Sequence, residues 1–141
     1  MRTHSAELEQ AYRQARYRVR LPDGVLLLAI GALPARERLR LQRATRMQRR
    51  WIFLTPCNPA SRRVSRAENR QRLDALRRLV RAHRWRHFTA AGVDPRGRWP
   101  EEPGFLLIDA PLAETRRLGL RFGQNAIVTG TPRGDAKLIW L

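Results

Sequence analysis

Pro22-Asp23-Gly24 constrains this chain more than any other short segment, because it sets a tight turn between two strand-like runs. Before it, Arg16 to Leu21 alternates charged and apolar residues, with Tyr17, Val19 and Leu21 on one side, the period-two pattern of a half-buried strand. After it, Val25 to Ile30 is continuously apolar, as a strand covered on both faces would be. Proline presets one backbone angle, aspartate bonds its own turn and glycine accepts positive φ, so the chain reverses within a few residues. The segment therefore predicts a β-hairpin with one interior strand, ended by Gly31. The apolar stretch reaches Leu33, too short to span a bilayer and not placed at the N-terminus as a targeting signal would be.

Helical and strand-like segments alternate along the rest. Ala6 to Gln14 is helical in composition, and Pro34 suits the first turn of a helix reaching about Gln48. Trp51 to Thr55 is a short apolar run closed by Pro56, a central strand. Ser65 with Glu68 three residues on has the spacing of a capping box, which opens a helix to about His83. Arg86 to Ala91 reads as a strand, Gly92 to Gly104 as a loop dense in proline, glycine and charge, and Phe105 to Ile108 as a strand. Pro111 to Phe122 is a helix that Gly123 stops. Ala126 to Val128 and Leu138 to Leu141 flank a Thr131-Pro132-Arg133-Gly134-Asp135 turn as a closing hairpin. At 141 residues the chain is the size of one domain. The expected fold is α/β in the α+β sense, a single domain over 1–141 with a mixed sheet of about five to seven strands and three or four helices packed on it.

Charge narrows the partners. All but Lys137 of the 29 basic residues are arginine, and the net charge is +17. Arg36 to Arg86 holds 17 arginines against Glu37, Glu68 and Asp74, a local net of +14 that leaves +3 for everything else. Guanidinium groups fork onto phosphates and carboxylates and stack on flat rings, so the expected partners are nucleic acid or another polyanion, or an acidic protein surface. A hydrophobic fraction of 43% with four tryptophans places this charge on a chain that can fold. Cys57 is the sole cysteine and the three histidines are scattered, so neither an internal disulfide nor a metal-binding spacing is legible. The expected compartment is the cytoplasm. The sequence leaves any cofactor unknown, and neither a Walker loop nor a dinucleotide-binding glycine pattern supports a nucleotide site.

On a helical wheel of about 100° per residue, Arg66, Arg70, Arg77 and Arg81 fall within about 60° of one another, a cationic stripe. Leu73, Leu76, Leu79 and Val80 make an apolar arc beside the stripe, and Asn69 and Arg72 fall inside it. An inward-facing amide and guanidinium need partners nearby. The preceding Thr55-Pro56-Cys57-Asn58-Pro59-Ala60-Ser61 loop leaves a strand end and enters a helix N-terminus, a common seat for ligands. The other reading is that Asn58, Asn69 and Arg72 brace the loop and bond a carboxylate such as Glu101 or Glu102. Glu101 and Glu102 are adjacent loop carboxylates, a pattern more often solvated than chemical, and Gln124-Asn125 after Gly123 has the character of a turn.

Asn58-Pro59 with Ser61, then Ser65-x-x-Glu68-Asn69, then Gly97-x-Trp99-x-Glu101-Glu102-Pro103, and finally Phe122-Gly123-Gln124-Asn125-Ala126, occur in that order. The sequence resembles the bacterial family catalogued as domain of unknown function 3293, over most of its length. The resemblance implies that Asn58, Ser61, Glu68, Asn69, Glu101, Gln124 and Asn125 are family features, and it supplies no reaction. Gly104, where the family pattern carries serine, and Cys57, where it often carries an aromatic, depart from it.

Three functions follow from these residues. The first is nucleic-acid or polyanion binding through Arg66, Arg70, Arg77 and Arg81, without any recognised nucleic-acid motif. The second is a small-molecule or nucleotide site, hydrolytic or not, built from Asn58, Ser61, Glu68, Asn69, Arg72, Glu101, Gln124 and Asn125; it requires Asn58, Asn69, Arg72, Glu101 and Gln124 to converge. The third is docking of an acidic protein, the polar cluster being structural.

Overall fold

Turn chemistry and apolar phase place the elements much as the sequence suggests. The computed structural model describes residues 5–141. Helix α1 (Ala6–Gln14) starts at Ser5, whose hydroxyl accepts the Leu8 N–H, and leads into the hairpin of β1 (Arg16–Leu21) and β2 (Gly24–Leu28). A two-residue strand, β3 (Gly31–Ala32), precedes α2 (Ala35–Thr45) and β4 (Trp51–Leu54). A short 3-10 turn at Pro59–Ser61 leads to α3 (Arg66–Ala82), which Ser65 caps by accepting the Glu68 N–H at 3.0 Å. The chain continues through β5 (Arg86–Val93), β6 (Glu102–Ile108), α4 (Leu112–Arg121), β7 (Ala126–Gly130) and β8 (Asp135–Trp140).

All eight strands join one sheet in the order β2-β1-β5-β6-β4-β7-β8-β3, and every pairing is antiparallel. This corrects the expected mixed sheet of at most seven strands. Each helix crossover, β4-α3-β5 and β6-α4-β7, does return the chain in its original direction, but it skips one position, and the antiparallel strand of the other crossover fills the gap. Elements β4 to β7 thus form a βαββαβ unit with its two crossovers interleaved, the ferredoxin-like arrangement. The eighth strand, β3, is too short for any periodicity to announce it.

The loop expected over 92–104 is shorter than the sequence suggests, because β5 runs on to Val93 and β6 starts at Glu102. A larger correction concerns the Val25–Ile30 run, which forms the edge strand β2 rather than an interior one. Val25 is 50% and Leu27 53% exposed, whereas Leu26 and Leu28 are buried. A run of aliphatic residues has no phase, so it cannot show whether one face or both will be covered.

Strand pleating separates two cores. On one face Tyr17, Val19, Leu26, Leu28, Trp51, Phe53, Leu106, Ile108 and Val128 pack together with Leu41 of α2 and Met47. On the other, Ile52, Leu54, Phe105, Leu107 and Ile127 lie under Leu76 and Val80 of α3 and Leu118 of α4. Only Ala29 and Ile30 link β2 to β3, which are the opposite edges of the sheet, so those edges come within about 11 Å. The sheet therefore curls around its first core, leaving two distinct ends.

Candidate functional site

One end of the curl is open. A cleft of about 430 Å³ lies there between α1 and the ends of β1, β4, β5, β6 and β7. Leu8 and Ala11 of α1, together with Tyr17, Phe53, Ala126 and Val128, make its walls largely apolar. No residue of α1 is fully buried, Tyr12 being half-buried, although one side of that helix faces the cleft. Tyr12, Ser61, Glu102 and Gln124 bring the polar atoms, and Asp94, Arg98 and Trp99 stand at the rim.

Glu102 reaches this cleft because of strand phase. Leu106 and Ile108 face the inner core and Phe105 and Leu107 the outer one, so counting back by twos puts Glu102 on the inner side. Its carboxylate accepts the Asn58 Nδ2 hydrogen at 2.7 Å and a hydrogen bond from the Trp99 side chain. Burial raises its pKa, and these two donors only partly offset that. Tyr12 is pushed up to about 12 by burial and by the nearby Glu102 charge, against a hydrogen bond with Ser61, so it enters the cleft as a neutral phenol. Burial likewise raises Tyr17, whose hydroxyl donates to the Tyr12 carbonyl at 3.0 Å.

The Thr55–Val64 loop is held by side chains from three directions. Asn58 Oδ1 accepts from Val64 N–H and from Asn69 Nδ2, while Asn69 Oδ1 accepts the Asn58 N–H at 3.0 Å. Arg72 donates to the carbonyls of Pro56 and Phe122. Gln124 Nε2 donates to the Cys57 carbonyl at 3.0 Å, Ala60 N–H to Gly123 O at 2.7 Å, and Asn125 Nδ2 to Ser61 Oγ at 2.8 Å. These bonds hold Asn58, Ala60 and Ser61 at φ values of 48°, 55° and 58°, left-handed backbone that non-glycine residues adopt at a cost of about 1 kcal/mol or more each.

The structure thus brings most of the sequence-derived cluster together, but in two roles. Ser61 and Gln124 line the cleft; Asn58, Asn69, Arg72 and Asn125 brace the loop that presents Ser61 and hold Glu102 in place. Glu101 lies apart, its carboxylate 2.8 Å from Arg18 at the surface. Glu68 is exposed, and its backbone N–H serves the Ser65 cap. Sequence reasoning singled out Glu101 where the inward carboxylate is Glu102, and it missed Tyr12 altogether. The two-residue phase of β6 is the signal that separates the two glutamates. Cys57 is buried with its thiol raised by desolvation, and Sγ contacts the Pro103 carbonyl at 3.5 Å. At Gly104 a Cβ would stand 2.3 Å from the Leu54 carbonyl oxygen, so β4 and β6 approach too closely here for the serine of the family pattern without a backbone shift.

The arginine stripe is less uniform than its wheel. Arg66, Arg70 and Arg81 are exposed, but Arg77 is partly buried, donates to Asp74 at 2.7 Å and lies over the Phe105 ring. At the end of the sheet opposite the cleft, Asp109 accepts the N–H groups of Gln48, Arg49 and Arg50 and pairs with Arg86 at 3.2 Å. Burial alone would raise its pKa, but those donors hold it below the usual carboxylate range. Among the described residues no helix is long and apolar enough to cross a membrane.

The four sequence motifs, spread from Asn58 to Ala126, meet around Glu102 and the loop beside it. A family model described as a protein of unknown function, DUF3293, matches residues 54–127, from the last residue of β4 into β7. Neither curated proteins nor solved structures give a match. The match covers more than half of the 141 residues and takes in Ser61, Trp99, Glu102 and Gln124 together with their braces, and on it the chain belongs to the DUF3293 family.

Proposed function

We propose that this domain binds a small organic molecule in the cleft beneath α1, one with an apolar or aromatic body and an N–H-bearing, preferably cationic, head directed at Glu102. The observation that carries this reading is the Glu102 carboxylate, half-buried at the wall of a mostly apolar 430 Å³ cleft with, among the described residues, two side-chain donors on its oxygens. An ionised carboxylate has room for about four hydrogen bonds, and a desolvated one gains most from a charged donor. Tyr12, Tyr17, Phe53 and Trp99 surround it with aromatic surface that favours a cation or a flat ring. A ligand would also give the cleft-facing side of α1 the burial it lacks.

Binding is favoured over hydrolysis, because Cys57 is buried with a raised thiol pKa and His83 and His87 lie at the other end of the sheet. Asn58 and Asn69, singled out in the sequence as ligand contacts, act here as positioning residues for Glu102 and Ser61.

Ligand-observed NMR with a library of aromatic amines, amidines and matched neutral analogues tests this. Cationic members should bind the wild-type protein, weaken at least tenfold in Glu102→Gln and be lost in Ala11→Trp, which fills the cleft from its exposed helical side. Binding that ignores both substitutions, or no binding by any member, overturns the reading.

A further inference from the structure

A second group of unneutralised charge, apart from Arg66 and Arg70 of the stripe, lies at the end of the sheet away from the cleft. There α2 and α3 both terminate, and the chain leads into β4 through Arg49 and Arg50 and into β5 through Arg84 and Arg86. Asp109 ties these two strand starts together, taking N–H groups from 48–50 and the Arg86 guanidinium. Helix C-termini favour a cation, and Arg43 and Arg81 in the two last turns satisfy that preference. Arg46, Arg49 and Arg84 exceed it: all three are exposed and have no acidic partner among the described residues. Beside them a shallow groove of about 550 Å³ is lined by Arg81, Arg84, Trp85, His87 and Phe88. Trp85, partly buried against the outer core, stacks on the exposed His83 with ring centroids 4.2 Å apart and planes 10° off parallel, and His83 Nδ1 lies 3.5 Å from the Glu114 carboxylate.

We propose that this end is a binding site for single-stranded nucleic acid, with Arg46, Arg49 and Arg84 on consecutive phosphates and Trp85 offering its ring to a base. Unpaired guanidinium groups fork onto phosphate oxygens, and a base stacks on an aromatic face whatever its identity, which is how sequence-tolerant single-strand binders work. An acidic protein would use the charge but not the stacked ring pair. The site shares no residue with the cleft and does not depend on what the cleft binds.

Fluorescence anisotropy of nuclease-treated protein with a labelled twelve-base oligouridylate, across a salt series, is the test. Wild-type protein should bind with a steep salt dependence, and Arg46→Gln/Arg49→Gln/Arg84→Gln should bind at least tenfold more weakly, with the slope of log affinity against log salt shallower by about 2, at about 0.7 for each phosphate no longer neutralised. Arg66→Gln/Arg70→Gln on the stripe should change affinity less than threefold. Binding should quench tryptophan fluorescence in the wild type and much less in Trp85→Phe. Equal weakening in the stripe variant overturns the location. Competition by inorganic polyphosphate, polyglutamate or anionic vesicles as effective as that by the unlabelled oligonucleotide overturns the recognition of bases.

Discussion

Each end of the curled sheet is organised by one carboxylate, and the two are treated in opposite ways. Asp109 collects three backbone N–H groups and a guanidinium, and its pKa falls. Glu102 receives two side-chain donors in a buried setting, and its pKa rises. Asp109 is thus fully employed in joining the start of β4 to the end of β6, whereas Glu102 keeps acceptor capacity that nothing among the described residues uses. A satisfied carboxylate belongs to the architecture, and an under-provided one faces a cleft.

The largest effect that would break this contrast is Asp109→Ala. It leaves three N–H groups at the start of β4 without their acceptor, and urea denaturation should show a loss of about 3 to 4 kcal/mol. A loss below about 1 kcal/mol would mean that solvent replaces the carboxylate and that Asp109 is no architectural anchor. Asn58→Ala should cost somewhat less, about 2 to 3 kcal/mol, because it removes the side-chain hydrogen bonds to Val64, Asn69 and Glu102 together and puts alanine at a left-handed position. The same variant should weaken any cleft ligand, and unchanged ligand affinity would detach the brace from the site.

The smallest effect sharpens the comparison through pH. A raised folded-state pKa means that the contribution of Glu102 to stability is fully present below about 4.5, its ordinary value, and is lost as pH rises through the folded value. Asp109 has the opposite sign: its contribution is present above its ordinary value of 3.8 and is lost as pH falls through the lowered one. Stability curves of wild type and Glu102→Gln should therefore diverge toward neutral pH, the variant being the more stable of the two, and converge below about pH 4.5. Parallel curves would show Glu102 to be as well solvated as a surface residue.

Much of this was legible in advance where a residue's chemistry acts locally. The Pro22-Asp23 turn, the Ser65 cap, the Gly123 stop and the inward-facing Asn69 and Arg72 each follow from neighbours within a few positions. What escaped depends on distant partners. Interleaving of the two crossovers made the sheet wholly antiparallel, and no segment read by itself records which strand will fill a gap. Glu101 and Glu102 differ only in the phase of the strand that follows, and a stretch as rich in proline, glycine and charge as 92–104 hides that phase. Tyr12 reaches the cleft only because α1 folds across the open end, and nothing in Ala6–Gln14 itself reports this.

The Ala29-Ile30 link between the two outermost strands has a consequence for solubility. Strand β2 carries exposed Val25 and Leu27, the kind of bare apolar edge on which a second chain could add itself and seed a fibril. Because β2 is five residues long and is tied at its end to β3, itself only two, neither rim presents a long straight ladder of unpaired backbone groups to a neighbouring molecule. The curl thus guards this rim together with Arg40 of α2, whose Nη1 donates to the Val25 carbonyl at 3.2 Å, β2 itself holding no arginine.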